Sequence, residues 1–471
     1  MQLSSDILIV GAGPAGCAAA YDLARAGKRV LLLDKRTFPR HKACAAGLTP
    51  KTLAALRYSV EPVIERYCQE IVLQQHSADP RHREVRIRLA QKARTAGGHL
   101  ICATTVREAF DAFCLQQTLA SGRNVGSVTL LKIEALLNLR ELPTHIELDI
   151  ATQEGQQTLR APGLLGADGS NGQTRALHAR ARNAGTRPDN SAEPANNAEW
   201  FTRGFALEAT IPYTALPSQL PQGGVPHDLV FDFTLIPGGY GWLFPKGDHI
   251  NVGIGIFTPD SSEAKLKEIN RQLLAGYIHH KLGVDLTTID PAVVHLTGQH
   301  LGVGGDRYIP QGRVLLLGDA AGLVDPLTGE GIHSAIISGQ AAAAAILSNE
   351  PEIAAAYARR LAPLQQTLAF SRRAALAFYA QPERGFRVMR MPFMRSLILK
   401  TYANGVNPTH LRQGLAAIAM LRAVKQTAQK LSRKRYTSRK QTRQEETSLG
   451  EANIARPHAP SPPSGASAPK N

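Results

Sequence analysis

Residues 6–34 read DILIVGAGPAGCAAAYDLARAGKRVLLLD. Asp6–Val10 is an apolar run of strand length, Pro14–Ala26 an alanine-rich stretch with helical spacing closed by Gly27, and Arg29–Asp34 a second apolar run. Strand, helix and strand within about 30 residues make a βαβ unit.

Between the first strand and the helix stands Gly11-Ala12-Gly13-Pro14-Ala15-Gly16, a G-x-G-x-x-G. The first glycine permits a tight turn, the second lets a pyrophosphate approach the backbone, and the third lets helix and strand pack closely. The helix N-terminus then faces the anion. Asp34, 18 residues after Gly16 and followed by Lys35, is placed to accept hydrogen bonds from an adenosine ribose. A lone glycine match is compatible with an ordinary turn. With strand, helix and acid all in place, the reading is dinucleotide binding.

That motif does not separate FAD from NAD. Residues 313–332, RVLLLGDAAGLVDPLTGEGI, do. There a strand runs into Gly318-Asp319, and Gly329-Glu330-Gly331 opens an alanine-rich helix at Ile332. A carboxylate at a strand end holds a polyol hydroxyl, and a helix N-terminus stabilises negative charge on a reduced ring. A ribityl chain and a flavin need both, so the expected cofactor is FAD.

The 471 residues are 43% apolar, enough for a sizeable core and too many for a disordered chain. The five cysteines, at 17, 44, 68, 102 and 114, form no C-x-x-C pair. They argue against a disulfide framework, a zinc site or an iron–sulfur cluster, so no metal and a cytoplasmic setting are expected. The N-terminus lacks the pattern of a secretory leader, and no run of about 18 apolar residues is present, so any membrane contact is expected to be peripheral.

A net charge of +16 suggests an anionic partner: nucleic acid, a membrane surface or a phosphorylated substrate. Residues 386–402, FRVMRMPFMRSLILKTY, mix Met, Phe and Leu with four basic residues, and residues 425–443 carry eight basic residues and no acidic one. The pattern fits peripheral contact with an anionic membrane, or equally a solvated basic helix and tail. No nucleic-acid-binding motif accompanies it, so nucleic acid is disfavoured.

The expected fold is α/β (α+β overall). A discontinuous Rossmann-like FAD-binding domain is assigned to residues 1–75, 101–178 and 301–350. An antiparallel β-sheet substrate domain is expected over 76–100 and 199–300, with a surface insertion at 179–198. A helical basic C-terminal region at 351–443 and a disordered tail at 444–471 complete the chain. In residues 106–120 the spacing predicts a helix with Phe110, Phe113 and Leu119 on one side.

From about residue 5 to residue 345 the chain resembles FAD-dependent oxidoreductases of the p-hydroxybenzoate hydroxylase-like fold, and within them the geranylgeranyl reductase family. Four elements carry the resemblance beside the glycine motif. Lys42-x-Cys44-Ala45-Ala46-Gly47 stands where the family has a Lys-x-Cys-Gly-Gly-like loop beside the flavin ring. Arg107 and Asp111 stand as its Arg-x-x-x-Asp helix, whose arginine contacts the cofactor. Asp168-Gly169 matches an element that supports FAD and reduced nicotinamide. Tyr240-Gly-Trp242-Leu-Phe244-Pro245 matches a segment that lines the substrate pocket. Read from alternation alone, Tyr240, Trp242 and Phe244 are equally one core face of a strand.

The resemblance implies cofactor contacts from Gly11, Gly13, Ala15, Gly16, Asp34, Lys35, Cys44, Ala45, Gly47, Arg107, Asp168, Gly169, Gly318, Asp319, Gly329, Gly331 and Ile332. Cys44 is the candidate catalytic residue, although free cysteines commonly serve as small buried hydrophobes. Ala45 and Ala46 replace glycines and narrow the surroundings of the ring.

The resemblance also implies hydride transfer from the N5 of reduced FAD to a carbon–carbon double bond of a polyisoprenoid group, with a proton added to the other carbon. For that proton Cys44, a tyrosine and bound water all stay open. With one glycine fingerprint, NAD(P)H or another reductant is expected to visit transiently. A flavin monooxygenase of the same fold is the alternative, and a non-catalytic FAD-binding redox module is the alternative of another class.

Overall fold

The computed structural model describes residues 5–404 apart from 77–83, 91–100, 123–124, 184–199, 222–223, 234, 237, 257–262 and 291. The apolar runs read from sequence become a five-stranded parallel sheet. Its order is Val314–Leu316, Leu164–Gly166, Ile7–Val10, Arg29–Asp34 and Ser127–Lys132. Strands buried on both faces need apolar residues at every position, which is why they read as continuous hydrophobic runs.

On one face lie the helices Pro14–Arg25 and Ile332–Leu347, whose small side chains let them cross closely: a Cβ on Gly339 would stand 2.3 Å from the Ala15 carbonyl. The other face is covered by the antiparallel strands Ala135–Glu141, Ile146–Thr152 and Gly155–Ala161. Ala15 is therefore a packing residue between two helices.

A seven-stranded sheet forms the second layer, in the order His295–Val303, Thr202–Pro212, His249–Ile256, Gly239–Pro245, Leu229–Asp232, Glu70–His76 and Glu84–Ala90. Every pairing is antiparallel except that of Leu229–Asp232 with Glu70–His76. One face packs on the helix Glu263–Leu282 through Leu274, Tyr277 and Ile278. Inside that layer Lys281 and Asp232, both fully buried, form an ion pair at 2.5 Å, and Lys281 also donates to Gln74. The opposite face carries the aromatic residues of the site.

Several expectations are corrected. Residues 70–75 pair in this second sheet rather than in the nucleotide-binding layer, because a strand follows its hydrogen-bond partner and not its place in the chain. The helix beginning at Thr174 runs to Asn183, into the segment expected to be a surface insertion; the rest of that segment lies outside the described residues. In the helix Arg107–Ala120, Phe110 is buried but Leu119 is 41% exposed, and Cys114 and Leu115 face the core instead.

The C-terminal region is helical over Ile353–Ala380, Pro382–Met389 and Pro392–Asn404. Phe386, Met389, Ile398 and Tyr402, read from sequence as fitting either a membrane surface or a solvated basic helix, pack against the aromatic face of the seven-stranded sheet. No described helix is long and apolar enough to cross a membrane. The basic run 425–443 and the tail lie outside the described residues.

Candidate active site

The C-terminal ends of the parallel strands gather the first half of the site. Gly11 has φ +103°, and any Cβ there would stand 2.3 Å from the Ala167 carbonyl; a Cβ on Gly16 would stand 1.9 Å from the Gly11 carbonyl. These two glycines close the turn. Gly13 differs: a Cβ there would meet only the Arg40 guanidinium, at 3.6 Å, so its backbone opens toward a cation.

Asp34 accepts from the Ala12 N–H at 2.7 Å and from the Arg36 N–H at 2.8 Å, which fixes the carboxylate at the turn and leaves lone pairs for a hydroxyl. Lys35 is bound to Gln173 at 2.8 Å. Asp168 accepts from the backbone N–H and the hydroxyl of Thr174, both at 2.9 Å, and so anchors the start of the helix Thr174–Asn183; Gly169 beside it has φ +79°. Gly318, φ +52°, donates to the Ser338 hydroxyl, and the Asp319 carboxylate lies beside Gly331, 3.3 Å from where a Cβ would be.

The helices at Pro14 and Ile332 both begin at a glycine, with no side chain capping them. Their first N–H groups are therefore available to an anion.

Around these ends sits a cluster that sequence spacing only hinted at. Arg107 grips Asp111 through two bonds of 2.8 and 2.7 Å, both residues being buried, and Arg40 adds a third contact to Asp111 at 3.1 Å. Burial and the neighbouring Arg107 push the Lys42 ammonium pKa down, against the pull of Asp319 and Asp111. Three cations to two carboxylates, beside an open Gly13 backbone, is a donor set that fits a pyrophosphate.

The second half is an aromatic cavity. Tyr240, Trp242 and Phe244 alternate along one strand and all line it, joined by Phe231 from the neighbouring strand, whose ring meets those of Tyr240 and Phe244 edge-on at 5.5 and 5.3 Å. All three residues are buried as well as lining the cavity. The Trp242 indole lies across Gly253, where a Cβ would stand 2.2 Å from the ring, and its Nε1 donates to Asn251 at 2.7 Å. Pro245 does not line the cavity. Strand alternation turns it away from the face of Phe244, and its carbonyl accepts from Thr104.

Facing the aromatic wall are the loop Ala43–Gly47 and the turn Thr328–Ile332, with Tyr402 reaching in from the last helix. Cys44, Ala45, Gly47, Gly329, Gly331 and Ile332 thus share one cavity with the aromatic trio. The other expected cofactor contacts lie away from it, at the strand ends and the glycine turn.

The cysteine loop is held by groups that sequence reasoning missed. Glu208 lines the cavity and accepts the backbone N–H of Cys44 at 2.9 Å. Lys246, buried, donates to the carbonyls of Ala45 at 2.7 Å and Thr105 at 2.8 Å. The Cys44 sulfur accepts from the Ala46 N–H at 3.3 Å and hydrogen-bonds with Arg107. Ala46 has φ +50°, a left-handed conformation that a glycine adopts freely. Burial pushes the Glu208 carboxyl up to about 6, although the Cys44 N–H, Asn251, Lys246 and Arg107 all favour its charged form. Burial likewise pushes the Lys246 ammonium down to about 8. A lone Glu in the apolar run GFALEATIP, and a Lys directly after YGWLFP, were the available signals.

The fold and this site define a flavoprotein with an inserted β-sheet layer. The chain belongs to the FAD binding domain family, which matches residues 4–349, and FAD is its cofactor. It is 28% identical over 368 residues to digeranylgeranylglycerophospholipid reductase 2 of Methanopyrus kandleri, covering 75% of this chain and 80% of that protein. It is 27% identical over 368 residues to menaquinone reductase of Mycobacterium tuberculosis, covering 72% and 76%. Among solved structures, a geranylgeranyl bacteriochlorophyll reductase-like protein of Thermoplasma acidophilum superposes with a TM-score of 0.61 at 20% identity, over 88% of this chain and 96% of that one. The flavin-dependent brominase Bmp2 also reaches 0.61, at 14% identity, so the fold by itself does not choose the reaction.

Proposed function

We propose that this protein is an FAD-dependent reductase that saturates carbon–carbon double bonds of a polyisoprenoid group on a prenylated lipid, quinone or related molecule. One observation carries the reading: an aromatic wall of Phe231, Tyr240, Trp242 and Phe244 faces the cysteine loop and the Gly329–Gly331 turn across a single cavity. The reductases among its relatives, named for a digeranylgeranyl lipid and a menaquinone, support it.

In this reading Gly13, the N-terminus of the helix at Pro14 and the Arg40–Lys42–Arg107 cluster hold the pyrophosphate. Asp34 holds the adenosine ribose and Asp319 the ribityl chain. The N-terminus of the helix at Ile332 stabilises negative charge on the ring. Bound and reduced FAD supplies a hydride, and NAD(P)H or another donor replenishes it.

The protein's own contribution is position and dryness. An isolated alkene is poorly polarised, so holding it at the correct distance and excluding water carry much of the rate. Flat aromatic walls do both for a hydrocarbon chain. The helices that supply Phe378, Phe386 and Tyr402 cover the aromatic face. With their apolar side chains turned inward, contact with an anionic membrane falls to basic residues such as Arg387 and Arg390 and to the basic run beyond.

The test is anaerobic turnover. Purified, dithionite-reduced protein is incubated with geranylgeranyl-bearing lipids, and products are followed by mass spectrometry. Gains of two hydrogens per step support the reading; unchanged lipids across a broad prenylated extract overturn it.

A further inference from the structure

We propose that Glu208 delivers the proton to the alkene carbon that does not receive the hydride. This rests on the reductase reading above and names the group that the reading leaves open.

The argument begins with position. Glu208 stands opposite Gly253 in the sheet, and Gly253 in turn stands opposite Trp242. Because Gly253 has no side chain, the Trp242 ring extends over it, so the carboxyl and the indole occupy one row of the same face. Glu208 also touches the loop across the cavity, through the Cys44 N–H. The carboxyl thus sits between the apolar wall and the cysteine loop, 5% exposed, and lines the cavity.

The other titratable groups in the cavity are committed elsewhere. Glu330 is paired with Lys51 at 2.5 Å and accepts from the Thr49 and Thr52 hydroxyls, so its oxygens are engaged on the far side of the cavity from the sheet. The Tyr240 hydroxyl donates to the Thr328 carbonyl, and burial pushes the phenol pKa up, making it a poor acid. Burial does the same for Tyr402. The Cys44 sulfur is held by the Ala46 N–H on its own loop, beside the Arg107 guanidinium.

Glu208 is facing Lys246, just past the end of the strand Gly239–Pro245 two places along the sheet, Arg107 on its helix and Cys44 on the loop, and it stays neutral below about 6 because burial outweighs them. A carboxyl that titrates near the working pH is an effective general acid. The step balances: the π bond breaks, one carbon takes a hydride from reduced FAD, the other takes the Glu208 proton, and two C–H bonds form. The flavin is oxidised and the carboxylate regains a proton from solvent.

The test compares wild type with Glu208→Gln, both carrying FAD. Glutamine still accepts the Cys44 N–H, so the loop stays held. In infrared difference spectra of the oxidised proteins, wild type shows a protonated-carboxyl band that the variant lacks and that fades as pH rises through about 6. In anaerobic single turnovers the variant reduces a geranylgeranyl lipid about 10²–10⁴-fold more slowly, and only wild type loses rate over the pH range where the band fades. Flavin reduction by dithionite is the same in both. A variant matching wild type in rate and pH profile, or a wild type without the band at acid pH, overturns the role of Glu208 and leaves the reductase reading intact. A wild type that reduces no prenyl lipid overturns the reading itself. If the glutamine variant does not retain FAD, Glu208→Asp takes its place: a slower rate with the band retained supports the proposal, and a wild-type rate with the band lost overturns it.

Discussion

Lys246 binds the carbonyl of Ala45, 201 residues earlier in the chain, at 2.7 Å, and with its second bond to Thr105 ties the cysteine loop to the strand Cys102–Thr105. A buried ammonium in this place acts as a clamp on the loop, alongside Glu208 on the Cys44 N–H.

Removing the clamp has a defined signature. Lys246→Met leaves two carbonyls without their donor and costs about 2–3 kcal/mol of stability. Cys44 then reacts faster with iodoacetamide, read site by site by mass spectrometry. Alkylation of Cys44 at the wild-type rate refutes the clamp.

Ala46 tests the same loop through its backbone. Its left-handed backbone costs an L-residue about 1–2 kcal/mol, so Ala46→Gly relieves strain while adding unfolded-state entropy. The net expectation is a stability change below about 1 kcal/mol, together with faster Cys44 alkylation because the loop gains freedom. A marked loss of stability would show that the alanine is not strained.

The glycine motif and the carboxylate at its far end are tested by cofactor retention. Gly16→Ala forces a Cβ to 1.9 Å from the Gly11 carbonyl and is expected to yield protein without flavin. Asp319→Ala is expected to fold and lose FAD, whereas Trp242→Ala keeps FAD and loses turnover. Absorbance spectra of the purified variants decide the first two, and kinetics on a prenyl lipid the third.

What could be read in advance was whatever short-range spacing enforces. The turn at Gly11–Gly16, the carboxylate of Asp34 and the turn at Gly329–Gly331 announce themselves because backbone geometry demands those residues in that order. Glu208 and Lys246 did not, because their meaning depends on sheet register and on a loop 164 and 201 residues away. The same limit explains Phe386 and Tyr402, whose apolar character suited a membrane and an aromatic cavity equally well. Pro245 was legible: strand alternation puts it on the face opposite Phe244, and its place in the motif hid that.

The buried pair at the sheet–helix layer is a stability prediction away from the site. Lys281→Met removes the ammonium that the buried Asp232 faces and costs about 3–5 kcal/mol, while the double substitution with Asp232→Leu recovers much of that loss. Chemical denaturation of wild type, Lys281→Met, Asp232→Leu and the double variant gives the coupling directly; additive losses would contradict it.

The pH dependence of folding follows from Glu208. Its folded-state pKa, near 6, lies above the 4.5 of the unfolded chain, so its stabilising share is complete below about 4.5 and is lost as pH rises through 6. Apoprotein stability relative to Glu208→Gln is expected to fall by about 2 kcal/mol between pH 4.5 and pH 8. A difference that does not vary with pH would mean that the carboxyl is ionised throughout.

The central claim, reduction of an isoprenoid double bond, is tested most directly by mixing the reduced protein with a geranylgeranyl-bearing lipid in a stopped-flow cell free of oxygen. The account predicts that the flavin returns to its oxidised spectrum at a rate set by lipid concentration, with one pair of hydrogens gained per flavin oxidised. A flavin that stays reduced until oxygen is admitted, with an oxygen atom then found in the product, would contradict it.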